Sequence, residues 1–342
     1  EDVIRHVDGL RSGSAKGVSS LKNEDLKLLF RGQHSDTNIS GITILINAIT
    51  RGWVSEDDWN LLNTTRGIAL DKKNGIWGDF RPICISEPLL SLCDIHVISQ
   101  QKHCLMDLAG TNERVQMGLT PDGIHELSTY LQLRSEKSLY SNLSTNPNGP
   151  SLDSINNDHW GLVHFDVQNA FGSCFRSYFL DMFEKEKLGF RNYFDRLYGS
   201  DARVIFQEIE TFMEVGTHQG RRSSPLLFDA MLYWFLDKSG VLKKLKALGL
   251  DLSLIHDDMF LEGDTRKMYE AFLLIRNTLG ETNLKLNASK TEFYIPWLQG
   301  QVDASHEGLF EFFLLENVTF DKFSNQGMIV GGVPIGKDNF ID

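Results

Sequence analysis

Cysteine is scarce. Cys84, Cys93, Cys104 and Cys174 are the only four, and none stands in a C-x-x-C pair. That argues against a disulfide framework and a cysteine zinc site, and fits a reducing, intracellular compartment. Long apolar runs are missing too. Gly308–Leu315 (GLFEFFLL) falls far short of the roughly 20 residues a bilayer crossing needs, so no membrane partner is expected. The opening EDVIRHVDGL lacks the charged-then-apolar layout of a signal peptide. The chain starts without Met and stops abruptly, which points to a piece of a longer protein. There is no internal repeat and no bias toward disorder, collagen or a coiled coil. Basic charge is also short: 34 Lys and Arg against 46 Asp and Glu leave a net charge of −12. This weighs against a broad basic face that grips phosphate backbones. Such contacts would have to come from local clusters (Lys72-Lys73, Arg221-Arg222, Lys243-Lys244 with Lys246) or from other domains or subunits.

The hydrophobic fraction is 41%, enough for a sizeable core in one large or two ordinary domains. The first part reads as helical, over Leu21–Phe30, Ile42–Arg51, Asp57–Leu62 and Leu89–Ile98, with a hairpin punctuated by Gly75 and Gly78. Ser141–Asp158 (SNLSTNPNGPSLDSINND) reads as a long polar loop. Beyond it, Leu162–Phe165 is a short apolar strand running into Asp166. Helices are expected over Ser177–Lys187, Ala202–Glu214, Ser224–Asp237 and Lys267–Leu279. Leu252–His256 and Met259–Leu261 form a hairpin joined at Asp257-Asp258, and Lys285–Asn287 and Glu292–Ile295 are two short strands. Strands and helices in this arrangement, with a long antiparallel component, indicate an α+β fold.

The chemistry sits in three carboxylates. Asp257 and Asp258 are adjacent where two apolar strands meet, and like charges so close repel, more so where water is partly excluded. A divalent cation cancels that cost, and Mg²⁺ binds through a few carboxylates plus substrate phosphates. An ordinary surface turn also favours Asp, and Asp166 could simply cap the helix that follows. Taken together, a strand-end Asp166 beside a hairpin-tip Asp257 is what a two-metal site requires, with its ions roughly 3.5–4 Å apart.

Several segments then fall in a recognisable order. FDVQNAFGSCFR (Phe165–Arg176) resembles motif A of reverse transcriptases of the non-LTR retrotransposon type. GTHQGRRSSPLLFDAML (Gly216–Leu232) is similar to their motif B, IHDD (Ile255–Asp258) occupies the place of Y-x-D-D, and LKLNASKTEF (Leu284–Phe293) resembles motif D. GGVPIG (Gly331–Gly336) resembles the turn after the palm. GSAKGVSSLKNEDLKLL (Gly13–Leu29) and the block ending in RPICISEPLLSL look like the leading segment and the fingers. Ile255 stands where Tyr is usual, and Arg221-Arg222 stand where relatives carry D-P or N-P.

The resemblance implies a right-hand polymerase fold, with helical fingers, an antiparallel-sheet palm and a thumb absent or truncated. Residues 1–160 would be fingers and the fingers–palm connection; residues 161–342 would be palm and the start of a thumb or connection. It implies an RNA-directed DNA polymerase using two Mg²⁺ (Mn²⁺ as substitute), an RNA template, a DNA primer and dNTPs, with the nucleus as the favoured compartment. Asp166 and Asp257 would hold the metals, with Asp258 as auxiliary carboxylate. Lys290 would neutralise or protonate the leaving pyrophosphate. Arg81, assisted by Lys73, would contact the triphosphate. Gln219 and Gly220 would flank the incoming nucleotide, and Phe171 would exclude a ribose 2′-hydroxyl. An alternative keeps the fold in a catalytically weak or inactive chain that works as a nucleic-acid-binding or assembly subunit. RNA synthesis is disfavoured by Phe171.

Overall fold

Runs in which β-branched and aromatic residues alternate between two faces set the strands of this protein. The computed structural model describes residues 2–31, 33–72, 80–143 and 159–341. Along the chain these strands are β1 (Thr65–Asp71), β2 (Phe80–Ile85), β3 (Trp160–Val167), β4 (Ala202–Phe206), β5 (Ile209–Met213), β6 (Leu250–Ile255), β7 (Asp258–Asp264), β8 (Leu286–Tyr294), β9 (Phe323–Ser324), β10 (Gly327–Val330) and β11 (Val333–Gly336). They make three sheets, ordered β2-β1-β4-β5, β6-β7-β3-β8-β9 and β10-β11. Helices and mainly antiparallel sheets together make this a mixed α+β protein.

The chain divides into two compact units, and each is assembled from two stretches. Unit one holds Glu1–Met106 and Phe171–Met231; unit two holds Asp107–Ala170 and Leu232–Asp342.

In unit one, β1 pairs antiparallel with β2 and parallel with β4. The residues expected to form an amphipathic helix over Ala202–Glu214 are instead the β4–β5 hairpin, with Phe206 opposite Ile209. Val204, Ile205 and Phe206 favour a pleated strand over a helix, and the two-residue turn is made possible by Gln207 at φ 55°. Free backbone groups on β1 supply the pairing that short-range periodicity cannot register. Two helices, Arg176–Lys185 and Arg191–Tyr198, meet through stacked rings, Phe183 on Phe194 at 4.1 Å and Phe179 on Tyr198 at 4.9 Å. The expected helices before β1 and after β2 are present as Asn23–Leu29, Ser35–Thr50, Glu56–Asn63 and Pro88–Leu108. The tip of the β1–β2 hairpin lies outside the described residues, as does most of the polar loop after Leu143.

The turn Gly216–Gly220 is held from several sides. Gly216 N–H donates to the Cys174 carbonyl and Thr217 N–H to the Phe171 carbonyl, both at 2.7 Å, and Cys84 N–H donates to the Gln219 carbonyl at 2.7 Å. Arg176 Nε donates to the Gly216 carbonyl at 3.0 Å. Arg221, immediately after the turn, is buried. It donates to Asp94 Oδ2 at 2.8 Å and to Asn63 Oδ1 at 3.2 Å, and Tyr193 donates its hydroxyl to the other Asp94 oxygen at 2.5 Å. The unusual Arg221 is thus a buried anchor, whereas Arg222 is exposed. His218 is pushed well below its ordinary pKa by burial and by the nearby Arg221 and Arg176 charges, so it is neutral.

In unit two, side chains alternate across β3. Trp160 and Leu162 pack with Leu127, Leu131, Phe260 and Tyr294 in a core closed by Met328 and Val330 of β10 and Ile335 of β11. Each such ring contributes roughly 1.5–3 kcal/mol by burial. Phe165, on the opposite face, meets Phe272 of the helix Met268–Glu281 at 5.7 Å. Polar groups inside this core are paired, Trp160 Nε1 with Glu262 at 2.6 Å and the Ser135 and Tyr294 hydroxyls at 2.6 Å. The two short strands expected at Lys285–Asn287 and Glu292–Ile295 are one strand, β8, interrupted by a bulge.

Removing Arg221 alone leaves Asp94 charged and buried. Arg221→Met should cost about 3–5 kcal/mol in urea unfolding, and the double variant Arg221→Met/Asp94→Leu should recover much of that loss. Equal stability of Arg221→Met and the parent would show that the pair anchors nothing.

Candidate active site

Register puts the carboxylates together. On β3 and β7, Phe165 is opposite Met259; one further step sets Asp166 alongside Asp258. Asp166 shares its face of β3 with His164, two residues back. It therefore lies within β3 rather than capping a helix. The β6–β7 hairpin turns over His256 and Asp257 alone, since Ile255 pairs with Asp258. His256 takes the positive φ that such a turn needs, 56°. Gln116, fully buried, clamps this residue. Its Oε1 accepts from His256 N–H at 2.9 Å, and its Nε2 donates to the His256 carbonyl at 3.2 Å.

Lys290 reaches the same place through the bulge. Between the pairs His164↔Glu292 and Asp166↔Asn287, β3 advances two residues and β8 advances five, an excess of three on β8. Bulges bend a strand and re-aim its side chains. Lys290 lies in this one, with Nζ 3.4 Å from Asp166 Oδ2. That oxygen is buried and has no hydrogen-bond partner, so the lysine supplies charge without satisfying it. Asp258 takes a different partner. Its Oδ1 accepts from His164 Nε2 at 3.0 Å, and the imidazole stacks on Phe260 at 4.8 Å.

Asp257 is left the most strained. Burial, and then the charges of Asp258 and Asp166, raise its pKa, against the lowering effects of its own backbone N–H and of His256. An under-neutralised carboxylate beside an orphaned carboxylate oxygen suits a hard cation, which takes one or two protein carboxylates and completes its shell with water and phosphate. Among the described residues, no group of three or more His, Cys, Asp or Glu side chains is arranged to hold a metal ion.

Asp166, Asp257, Asp258 and Lys290 all belong to unit two. Four other candidates among the described residues belong to unit one. Phe171 is half-buried in a short helix, Ala170–Ser173, with its ring 4.5 Å from Phe228. Gln219 is half-buried. Gly220 has φ +109°, and a Cβ there would lie 2.7 Å from the Cys84 carbonyl oxygen, so close passage of β2 requires glycine. Arg81 is exposed on β2, opposite Leu70. Lys73 lies outside the described residues. Sequence reasoning missed Gln116 and His164. Gln116 acts on a residue 140 positions away and leaves no local signal. His164 could have been found, because it shares the face of Asp166 by simple alternation.

No family model matches the chain, and no curated protein does. Among solved structures, it is similar to apo telomerase from Candida tropicalis truncated from its C-terminal domain, at 11% identity and a TM-score of 0.48, over 82% of this chain and 54% of that one. The chain thus spans about half the length of that structure. No helix among the described residues is long and apolar enough to cross a membrane.

A carboxyl whose pKa is higher folded than unfolded binds its proton more tightly in the native state. Its contribution to stability therefore falls as pH rises from the ordinary carboxylate range through the raised value, and the penalty is complete at neutral pH. With metal chelated, Asp257→Asn should unfold later than the parent at pH 7, by about 2 °C, and this advantage should shrink on acidification. A lower Tm for the variant at pH 7 would rule out charge strain at Asp257.

Proposed function

We propose that this chain is an RNA-directed DNA polymerase of the non-LTR retrotransposon type, extending a DNA primer on an RNA template. The observation that carries the reading is the convergence of Asp166, Asp257 and Lys290 at one end of an antiparallel sheet, reached by a tight hairpin on one side of β3 and a bulge on the other. In this reading residues 1–160 form fingers and the fingers–palm connection, and residues 161–342 form palm and the start of a thumb or connection region.

Asp166 and Asp257 would hold two Mg²⁺ ions, or Mn²⁺ in their place, which when bound favour ionisation of the primer 3′-hydroxyl and offset charge on the pyrophosphate. Chain growth joins that oxygen to the α-phosphorus and breaks its bond to the bridging oxygen, with pyrophosphate leaving. The ammonium of Lys290, 65% exposed, is free to pass from Asp166 to the departing phosphates and to give up a proton there. His164 keeps Asp258 oriented, and Gln116 fixes the turn that presents Asp257. Arg81, Gln219 and Gly220 as nucleotide contacts, and Phe171 as the block to ribose, rest on the resemblance. A guanidinium suits phosphate oxygens, and a phenyl edge against C2′ would leave no room for a 2′-hydroxyl.

A second reading has its own support. The bond that ties up Asp258 with His164 suits a chain that binds nucleic acid or assembles with partners without catalysis.

Primer extension on a defined RNA template with dNTPs and Mg²⁺ separates the two. Extension should occur and should fall by at least about a hundredfold in Asp257→Asn. Free Mg²⁺ at about ten times its Kd should add roughly 1.4 kcal/mol to stability in the parent and less in the variant. Folded, stable protein that neither extends a primer nor responds to metal would favour the binding-subunit reading. Phe171→Ala should admit rNTPs; discrimination that survives this change would remove Phe171 from its assignment.

A further inference from the structure

A second site lies in unit one, built around Trp53. The helix Ser35–Thr50 ends in a hydrogen-bonded reversal: Gly52 N–H donates to the Ile49 carbonyl at 3.0 Å, and Trp53 N–H to the Ala48 carbonyl at 2.8 Å. This pattern terminates helices with a left-handed residue, here Gly52 at φ +73°, and ordinarily tucks the next apolar residue back against the helix. Trp53 does not tuck back; its indole is 69% exposed. A lone exposed aromatic needs no explanation, but this one borders a cavity of about 340 Å³ whose other walls are Thr50, Arg51, Phe190, Arg191 and Asn192.

The walls are fixed in place. Asn192 donates Nδ2 to the Arg51 carbonyl at 3.2 Å, and a Cβ on Gly52 would come within 3.0 Å of Asn192 Cβ. Phe190 holds φ 61° at the start of its helix. The Arg51 guanidinium lies 4.8 Å from the Trp53 ring centroid. Arg191 is already paired with Asp195 at 2.5 Å and Glu184 at 3.6 Å, whereas Arg51 forms no ion pair among the described residues.

We infer that this cavity takes an unpaired base of a single-stranded nucleic acid, stacked on Trp53, with Arg51 serving the adjoining phosphate. The inference rests on the polymerase reading, which brings single-stranded template to the protein. The chemistry is that of a stacking platform, in which aromatic and guanidinium planes receive bases and nearby amide or hydroxyl groups reach their edges. Asn192, exposed at the rim, is that polar group; Thr50 is buried and spends its hydroxyl on the Ile46 carbonyl at 2.8 Å. Net charge supplies a second argument. A formal net charge of −12 weighs against a broad cationic surface of the kind that drives most backbone binding, which gives stacking a larger share of the affinity for a single strand.

The test is fluorescence anisotropy with a labelled, unstructured RNA oligonucleotide, at two salt concentrations. The full chain is compared with Trp53→Ala, Trp53→Phe and Arg51→Ala, with an equivalent DNA oligonucleotide in parallel. Trp53→Ala should weaken binding roughly five- to a hundredfold, by about the same factor at both salts, and Trp53→Phe should keep most of the affinity. Arg51→Ala should instead lower the salt slope by about 0.7. Base stacking should quench indole emission in the parent, and Trp53→Phe should lose that quenching. DNA bound as tightly as RNA supports stacking, which ignores the sugar. If the parent binds RNA and Trp53→Ala binds it equally well, the inference falls and the polymerase reading stands. If the folded parent binds no nucleic acid at low salt, both fall.

Discussion

Repulsion among three carboxylates at one end of a sheet is the constraint around which unit two is arranged. Asp166, Asp257 and Asp258 are brought together by strand register and a two-residue turn, and each is handled differently. A bulge swings Lys290 to Asp166, His164 donates to Asp258, and Asp257 sets its own backbone N–H and the neighbouring His256 against burial and two like charges. Holding such a turn demands a rigid frame. Gln116 provides it with two hydrogen bonds to one residue, and the core around Trp160, Phe260 and Tyr294 keeps β3 and β7 in register beneath it.

Unit one shows the same tactic with opposite charge. Arg221 is buried directly after a turn that tertiary hydrogen bonds hold on several sides; it donates to Asp94 and Asn63, Tyr193 donates to the other Asp94 oxygen, and the arginine's Nη2 has no partner among the described residues. A buried pair seldom adds net stability over an apolar substitute, but it is costly to break by halves, so it favours one position of the turn over others. The pair spends one of the few basic residues of an acidic chain on internal structure. That leaves the surface still shorter of cationic groups and gives an exposed aromatic such as Trp53 more weight in any contact with nucleic acid.

Much of this was legible beforehand. Helices with strong periodicity and clear stops formed near where expected: the one expected over Ile42–Arg51 stops before Gly52 but starts earlier, at Ser35, and Met268–Glu281 follows the hairpin. Apolar strands flanking the paired aspartates were readable because alternation and a short polar turn are local signals. Two readings failed for one reason. Ala202–Glu214 was periodic enough for a helix, but β1 offered it an edge to pair with. The gap between the two short strands expected near Lys290 was a bulge, visible only once β3 lay beside β8.

The amino-acid sequence by itself determined the α+β character, the adjacency of Asp257 and Asp258, and the strand that leads into Asp166, because each depends on neighbours within a few residues. Tertiary structure alone decided that Lys290 faces Asp166, that Gln116 grips His256, that His164 holds Asp258, and that Arg221 is buried on Asp94. Those pairs join residues between 94 and 140 positions apart. Their closeness follows from register, bulge and burial, which arise only when distant segments share one core.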